Sequence, residues 1–255
     1  MVNAGETVYF PFKPETVINY EIGLKNYMFG HKLRNQISIF RSRYKDKQET
    51  SVRYVGKDKN TGLDITALVT DNVADSILQG IEIESNLKLG NHQFDFSGSM
   101  LDTYVVSNPS YSDFWFCAGR STTPFPCNSN INPKGMELPF APDYKLSLAY
   151  SYKWNLSNGA QIKPWVQIHH ESSMWLSSPN FNQVEKYSDE RPAFTTVNAS
   201  ISYTTPDGRM KYEVYCSNCT DQWVRTFAIP DGNGQFAFGG YRDPLFYGVR
   251  AVFNF

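Results

Sequence analysis

The residue types that could do chemistry fall into a few small groups. Cys216-Ser217-Asn218-Cys219 is a C-x-x-C. A redox-active dithiol with this spacing needs a βαβ context and a helix N-terminus to lower one thiol pKa, and the flanking residues offer neither. Zinc would need a second ligand pair, and the sequence has no second C-x-x-C. Residues three apart on a strand face opposite sides, so this pair can close only as a local disulfide at a strand tip. His169-His170-Glu171 invites a metal reading. Neighbouring strand residues diverge, however, and His169 with Glu171 on one face supplies only two ligands. Both are expected to be polar residues near a rim. Glu82 and Glu84 also share a face and could mimic a carboxylate pair, though solvated charge is the simpler reading. There is no G-x-S-x-G, no P-loop and no H-E-x-x-H. No catalytic residue, metal site or cofactor is therefore expected, and the chain does not read as an enzyme.

A different chemistry, adhesion to a ligand, is available to aromatic and Arg side chains through stacking and cation–π contact. Tyr111, Trp115, Phe116 and Arg120 cluster in one segment, with Trp175, Trp223 and Arg225 behind them. What positions them depends on the elements, and composition narrows those first. The chain has 255 residues, 15% aromatic and 19% charged, with a formal net charge of −1. That balance leaves no electrostatic footprint for nucleic acid. Hydrophobic residues reach 41% while mean hydropathy is −0.44, so apolar and polar residues are interleaved. No run approaches 18 apolar residues, which excludes a transmembrane helix. Met1 to Phe10 has neither the basic nor the apolar region of a signal peptide. Four cysteines are too few for a disulfide scaffold.

Alternation then identifies strands. From Tyr144 to Leu156, Tyr144, Leu146, Leu148, Tyr150, Tyr152, Trp154 and Leu156 share one parity, against Lys145, Ser147, Ala149, Ser151, Lys153 and Asn155. Period two over that length predicts a long strand with one apolar face. Ile81, Ile83, Leu87 and Leu89 oppose Glu82, Glu84, Asn86 and Lys88; Tyr247, Val249, Ala251, Phe253 and Phe255 oppose Gly248, Arg250, Val252 and Asn254. Phe94–Met100, Ile162–Ile168, Val197–Tyr203, Tyr212–Val214, Tyr20–Leu24 and Leu33–Tyr44 complete about nine strands.

Connection lengths add the decisive signal. Short links at 28–32, 90–92, 157–159 and 205–209 alternate with long ones at 46–76, 103–142, 171–192 and 220–243. An up-and-down membrane barrel sorts its loops this way, with tight periplasmic turns and long outer loops. A soluble sandwich has no physical reason to do so. The expected fold is all-β, an antiparallel up-and-down transmembrane β-barrel, with the apolar parity on the outer wall. If the 103–142 loop is extracellular, Cys117 and Cys127 within it can pair as a structural clip in an oxidising compartment.

Several segments resemble TonB-dependent outer-membrane receptors: FKPETVINYEIGLKN at 12–26, ILQGIEIESNLKL at 77–89, LPFAPDYKLSLAYSY at 138–152, VYCSNCTDQW at 214–223 and GGYRDPLFYGVRAVFNF at 239–255. In the fourth, Cys219 stands where the family usually has Leu. Order and spacing extend the resemblance over nearly the whole chain. It implies a barrel of roughly 22 strands with an N-terminal plug, of which residues 1–255 would be the C-terminal section, without the plug and the N-terminal strands. The expectation is an incomplete barrel of about nine strands whose free edges are the first and the last.

The same resemblance implies active import of a scarce solute (siderophore, cobalamin or carbohydrate) across the cell outer membrane. Partners would be outer-membrane lipid, the TonB complex through the plug, and the barrel-insertion machinery. The latter would read Tyr247, Val249, Ala251, Phe253 and Phe255 as its signal. A passive porin-like channel and a soluble β-rich adhesin or binding module are the alternatives.

Overall fold

A computed structural model describes residues 11–107, 134–176, 190–230 and 237–254. Fourteen strands are present among them. They are β1 (Thr16–Met28), β2 (Leu33–Lys57), β3 (Asp64–Leu89), β4 (His92–Val105), β5 (Tyr144–Tyr152), β6 (Trp154–Asn155), β7 (Gln161–Glu171), β8 (Met174–Trp175), β9 (Glu190–Arg191), β10 (Phe194–Thr204), β11 (Met210–Ser217), β12 (Arg225–Pro230), β13 (Ala237–Tyr241) and β14 (Phe246–Phe253). The main sheet runs β1-β2-β3-β4-β5-β7-β10-β11-β14, every pair antiparallel, with β6 paired to β7. Among the described residues β1 pairs only with β2 and β14 only with β11, so the sheet they form is open at both edges. An antiparallel meander of nine strands with free first and last edges matches the sequence expectation.

Register converts alternation into two faces. One row crosses five strands as Ile22, Ile39, Ile81, Met100 and Tyr144. These side chains are between 37% and 75% exposed, and Leu146 and Leu148 are 42% and 48% exposed. Among the described residues no second sheet covers them, as an outer wall requires. The neighbouring row reads Ser38, Glu82, Ser99, Lys145 and Glu171, and the next reads Gln36, Glu84, Ser97, Ser147 and His169. All of these except Glu171 line a cavity of about 430 Å³ on the other face. Glu82 and Glu84 are thus wall charges, as their parity suggested.

The short links gather at one end. Lys88 donates its backbone N–H to the Lys32 carbonyl at 2.8 Å, and Lys153 donates to Asn91 at 2.9 Å. Gly90 takes φ 58°, which lets two residues join Leu89 to His92. In the 205–209 turn the Thr205 hydroxyl, at 2.6 Å, and the Arg209 N–H hold the Asp207 carboxyl below the usual carboxylate range. At the opposite end the Val105 N–H donates to the Met136 carbonyl and the Ser172 N–H to the Tyr144 carbonyl, each at 3.0 Å.

Three elements differ from the alternation reading. The strand expected over Tyr144 to Leu156 is interrupted at Lys153, between β5 and β6. The 46–76 link is largely sheet: β2 and β3 stay paired to Lys57↔Asp64 beyond a bulge at Tyr44/Lys47. Its tip is closed by Asp58, whose carboxylate accepts the Thr61 and Asn60 N–H groups at 2.8 Å and lies below its usual pKa for that reason. The 220–243 link contains the β12–β13 hairpin.

Candidate functional site

At the long-loop end, the outermost residues of the inner face meet segments that are distant in sequence. Glu171, the last residue of β7, is 5% exposed. Arg191 of β9 donates from Nη2 to its Oε2 at 2.8 Å, while Arg242 donates to Oε1 at 3.1 Å and His169 Nε2 lies 2.8 Å from the same oxygen. Both guanidiniums lie over the Phe194 ring, 4.7 and 4.9 Å from its centroid. A buried carboxylate is tolerable only when its lone pairs are met by donors, and here three side chains meet them. Arg191 also reaches the Ser172 carbonyl at 3.3 Å, and its Nε is buried without a partner. The cluster ties β7 to the segments after β8 and after β13. His169 and Glu171 do share a face, as the sequence indicated; the two arginines had no local signal.

Other contacts extend this outer layer. Trp175 donates its indole N–H to Glu137 at 3.0 Å. Arg225 donates to the Glu190 carbonyl at 2.6 Å. Met174, Leu176 and Ala228 are buried together, which packs residues 174–176 against β12. Of the ligand-contact candidates, Trp175 and Arg225 are therefore half-buried in fixed contacts. Trp223 is 75% exposed, edge-on to Tyr241 at 5.8 Å. The structure does not bring these three into one site. Tyr111, Trp115, Phe116, Arg120, Cys117 and Cys127 lie outside the described residues, as does Phe255.

The C-x-x-C closes as a disulfide between Cys216 and Cys219, with Cα atoms 5.6 Å apart. β11 ends at Ser217, and Asn218 turns the chain at φ 47°, which lets residues three apart meet. Asn218 holds this corner through its side chain: its amide donates to the Gln222 and Asp243 carbonyls, and its oxygen accepts the Gln222 N–H at 3.0 Å. On the closing strand, Tyr247, Val249 and Phe253 are more than half exposed on the outer face. Their inward neighbour Gly248 leaves room for Tyr215, over which Arg250 stacks at 5.3 Å.

The family model described as TonB dependent receptor-like, beta-barrel, matches residues 2–218. The chain belongs to this receptor family. Comparison with curated protein sequences gives no match. Among solved structures, the ferric yersiniabactin uptake receptor FyuA from Yersinia pestis superposes with a TM-score of 0.69 at 17% identity, covering 96% of this chain and 30% of that one. The siderophore receptor PiuA from Acinetobacter baumannii gives 0.62 at 16% identity, covering 94% and 28%. The ferripyoverdine receptor of the outer membrane of Pseudomonas aeruginosa gives 0.60 at 17%, covering 96% and 28%. The chain spans less than a third of each receptor, and at these identities the likeness establishes the shared barrel fold.

Proposed function

We propose that residues 1–255 form the C-terminal barrel section of an outer-membrane receptor that imports a ferric siderophore, driven by the TonB complex acting on a plug. The observation that carries this reading is the sorting of faces and links. A belt of exposed apolar rows on one face suits lipid, a polar opposite face suits a plug and solute path, and every long link leaves from one end. The open edges at β1 and β14 would be closed by further barrel strands, since unpaired backbone in lipid is costly. The receptors it resembles are named for siderophores, which favours that solute class over cobalamin or carbohydrate. Ligand contact falls to the outer links: Tyr111, Trp115, Phe116 and Arg120, with exposed Trp223. Trp175 and Arg225 hold those links in place. Tyr247, Val249, Ala251, Phe253 and Phe255 would guide barrel insertion, and Cys117–Cys127 would staple the 103–142 loop. The protein acts as a transporter and performs no catalysis.

The test is growth of an iron-starved host whose only siderophore receptor contains this chain, supplied with a panel of ferric siderophores. Growth that disappears when TonB is deleted supports the reading. Uptake independent of TonB would point to a passive channel instead, and recovery of the receptor outside the membrane fraction would point to a soluble binding module.

A further inference from the structure

On β2 the outward-facing positions change character at one point. Ile37 and Ile39 belong to the apolar belt; Arg41, Arg43 and Lys45 follow on the same parity, all exposed. Register puts Arg41 between Tyr20 and Gln79, Arg43 between Ile18 and Ile77, and Lys45 beside Thr16. Arg41 is the ninth residue of β2 and Lys45 the thirteenth. At ~3.3 Å per residue and ~45° tilt, they stand ~20 and ~30 Å above the tight turn. That brackets the outer edge of an apolar band ~25 Å tall.

The charges facing this stripe are few. Asp75 pairs with Arg43 at 3.1 Å. Asp102 accepts the Gln79 amide at 2.8 Å and lies two strands from Arg41. Asp143 lines the same outward surface. Arg41 and Lys45 make no side-chain ion pair or hydrogen bond among the described residues. Beside Arg41 the outer face opens into a trough of about 680 Å³, walled by Tyr20, Ile22, Ile39, Ile81 and Met100.

We propose that Arg41 and Lys45 bind the phosphorylated headgroup of a lipid in the outer leaflet, whose acyl chain lies in that trough. The proposal rests on the membrane reading above. Charge complementarity selects the occupant: unpaired cations directly over an apolar surface match a phosphate directly over an acyl chain. The stripe from Arg41 to Lys45 covers ~13 Å of strand, which suits a headgroup bearing more than one phosphate.

The test uses the receptor containing this chain, extracted from outer membranes in mild detergent. Retained phosphorylated lipid per protein is measured by mass spectrometry for wild type, Arg41→Gln, Lys45→Gln and the double variant, with Lys25→Gln on the inner face as control. Neutralising one cation should reduce lipid affinity about fivefold, and both about thirtyfold, with Lys25→Gln unchanged. An Arg41→Lys, Lys45→Arg variant should keep the lipid, which separates charge from folding. Equal retention in wild type and the double variant would overturn the proposal while leaving the membrane reading intact. A receptor absent from the membrane fraction would overturn both.

Discussion

Glu171→Gln is the perturbation that most directly tests the outer-rim cluster. The Glu171 and Arg191 side chains are 6% and 3% exposed and 2.8 Å apart, so removing the carboxylate charge leaves a guanidinium buried without its counter-ion. Breaking such a pair from one side costs roughly 3–5 kcal/mol. Gln retains one acceptor oxygen, which places the expectation near the lower end, ~3 kcal/mol. Arg242 is different: its side chain is 42% exposed, and solvent screening limits its share to under ~1 kcal/mol. The cluster ties Arg191 and Arg242 to the end of β7, so the assay is pulse proteolysis of the folded receptor in vesicles, reading the free energy of opening around residues 171–176 and 190–194. Glu171→Gln should raise the cleavable population by about a hundredfold. Arg191→Met alone should also open the links, and the two substitutions together should cost less than their sum by ~2 kcal/mol. Strong salt should weaken the Arg242 contribution and leave that of Arg191 largely intact. Additive effects of Glu171→Gln and Arg191→Met, or a Glu171→Gln variant as protease-resistant as wild type, would refute this account of the rim.

Leu148→Arg, on the outer face at 48% exposure, should destabilise the inserted receptor by ~2–4 kcal/mol in vesicle unfolding, whereas Ser147→Arg on the polar face should be tolerated. Gly248→Ala would place a methyl carbon 2.7 Å from the Tyr215 hydroxyl; unfolding should show a loss of ~1–2 kcal/mol that a Tyr215→Ala background largely restores. The Asp58 turn should be acid-sensitive. Its folded pKa is depressed, so its stabilisation is complete above its ordinary value of 3.8 and fades as pH falls through the lowered value. Hydrogen exchange at the Asn60 and Thr61 amides should accelerate over that acid window, and Asp58→Asn should remove the pH dependence.

The main sheet was legible because each membrane strand carries one apolar parity, and Tyr144, Leu146 and Leu148 display it without interruption. The same signal fails where neither parity of the sequence is consistently apolar. Past Tyr44 the chain reads Lys45-Asp46-Lys47-Gln48-Glu49-Thr50, polar on both parities, yet β2 stays paired with β3 across the register shifts at Tyr44/Lys47 and Lys47/Gln48. β12 and β13 escaped notice because they are short, six and five residues, and give alternation little length to show. At the rim, His169 and Glu171 were recognisable as same-face neighbours. Arg242 reaches Glu171 across a sequence separation of 71, a contact made by the return of the chain over the sheet, and no local pattern encodes that. Cys216 and Cys219 were readable only as conditional partners, because the condition was the strand end that Asn218 creates.

The bulge between Tyr44 and Lys47 separates two stretches of one hairpin that answer to different demands. Below it, a one-residue slip would exchange lipid-facing and water-facing side chains along the whole strand. Above it, the paired extension runs to Lys57↔Asp64 and carries its own buried residue, Val69, at 4% exposure. Because the bulge already absorbs a change of register, and Asp46 takes the required φ of 52°, residues can be gained or lost above it without re-facing anything below. The projecting arm can therefore change length while every side chain of the wall beneath it keeps its face.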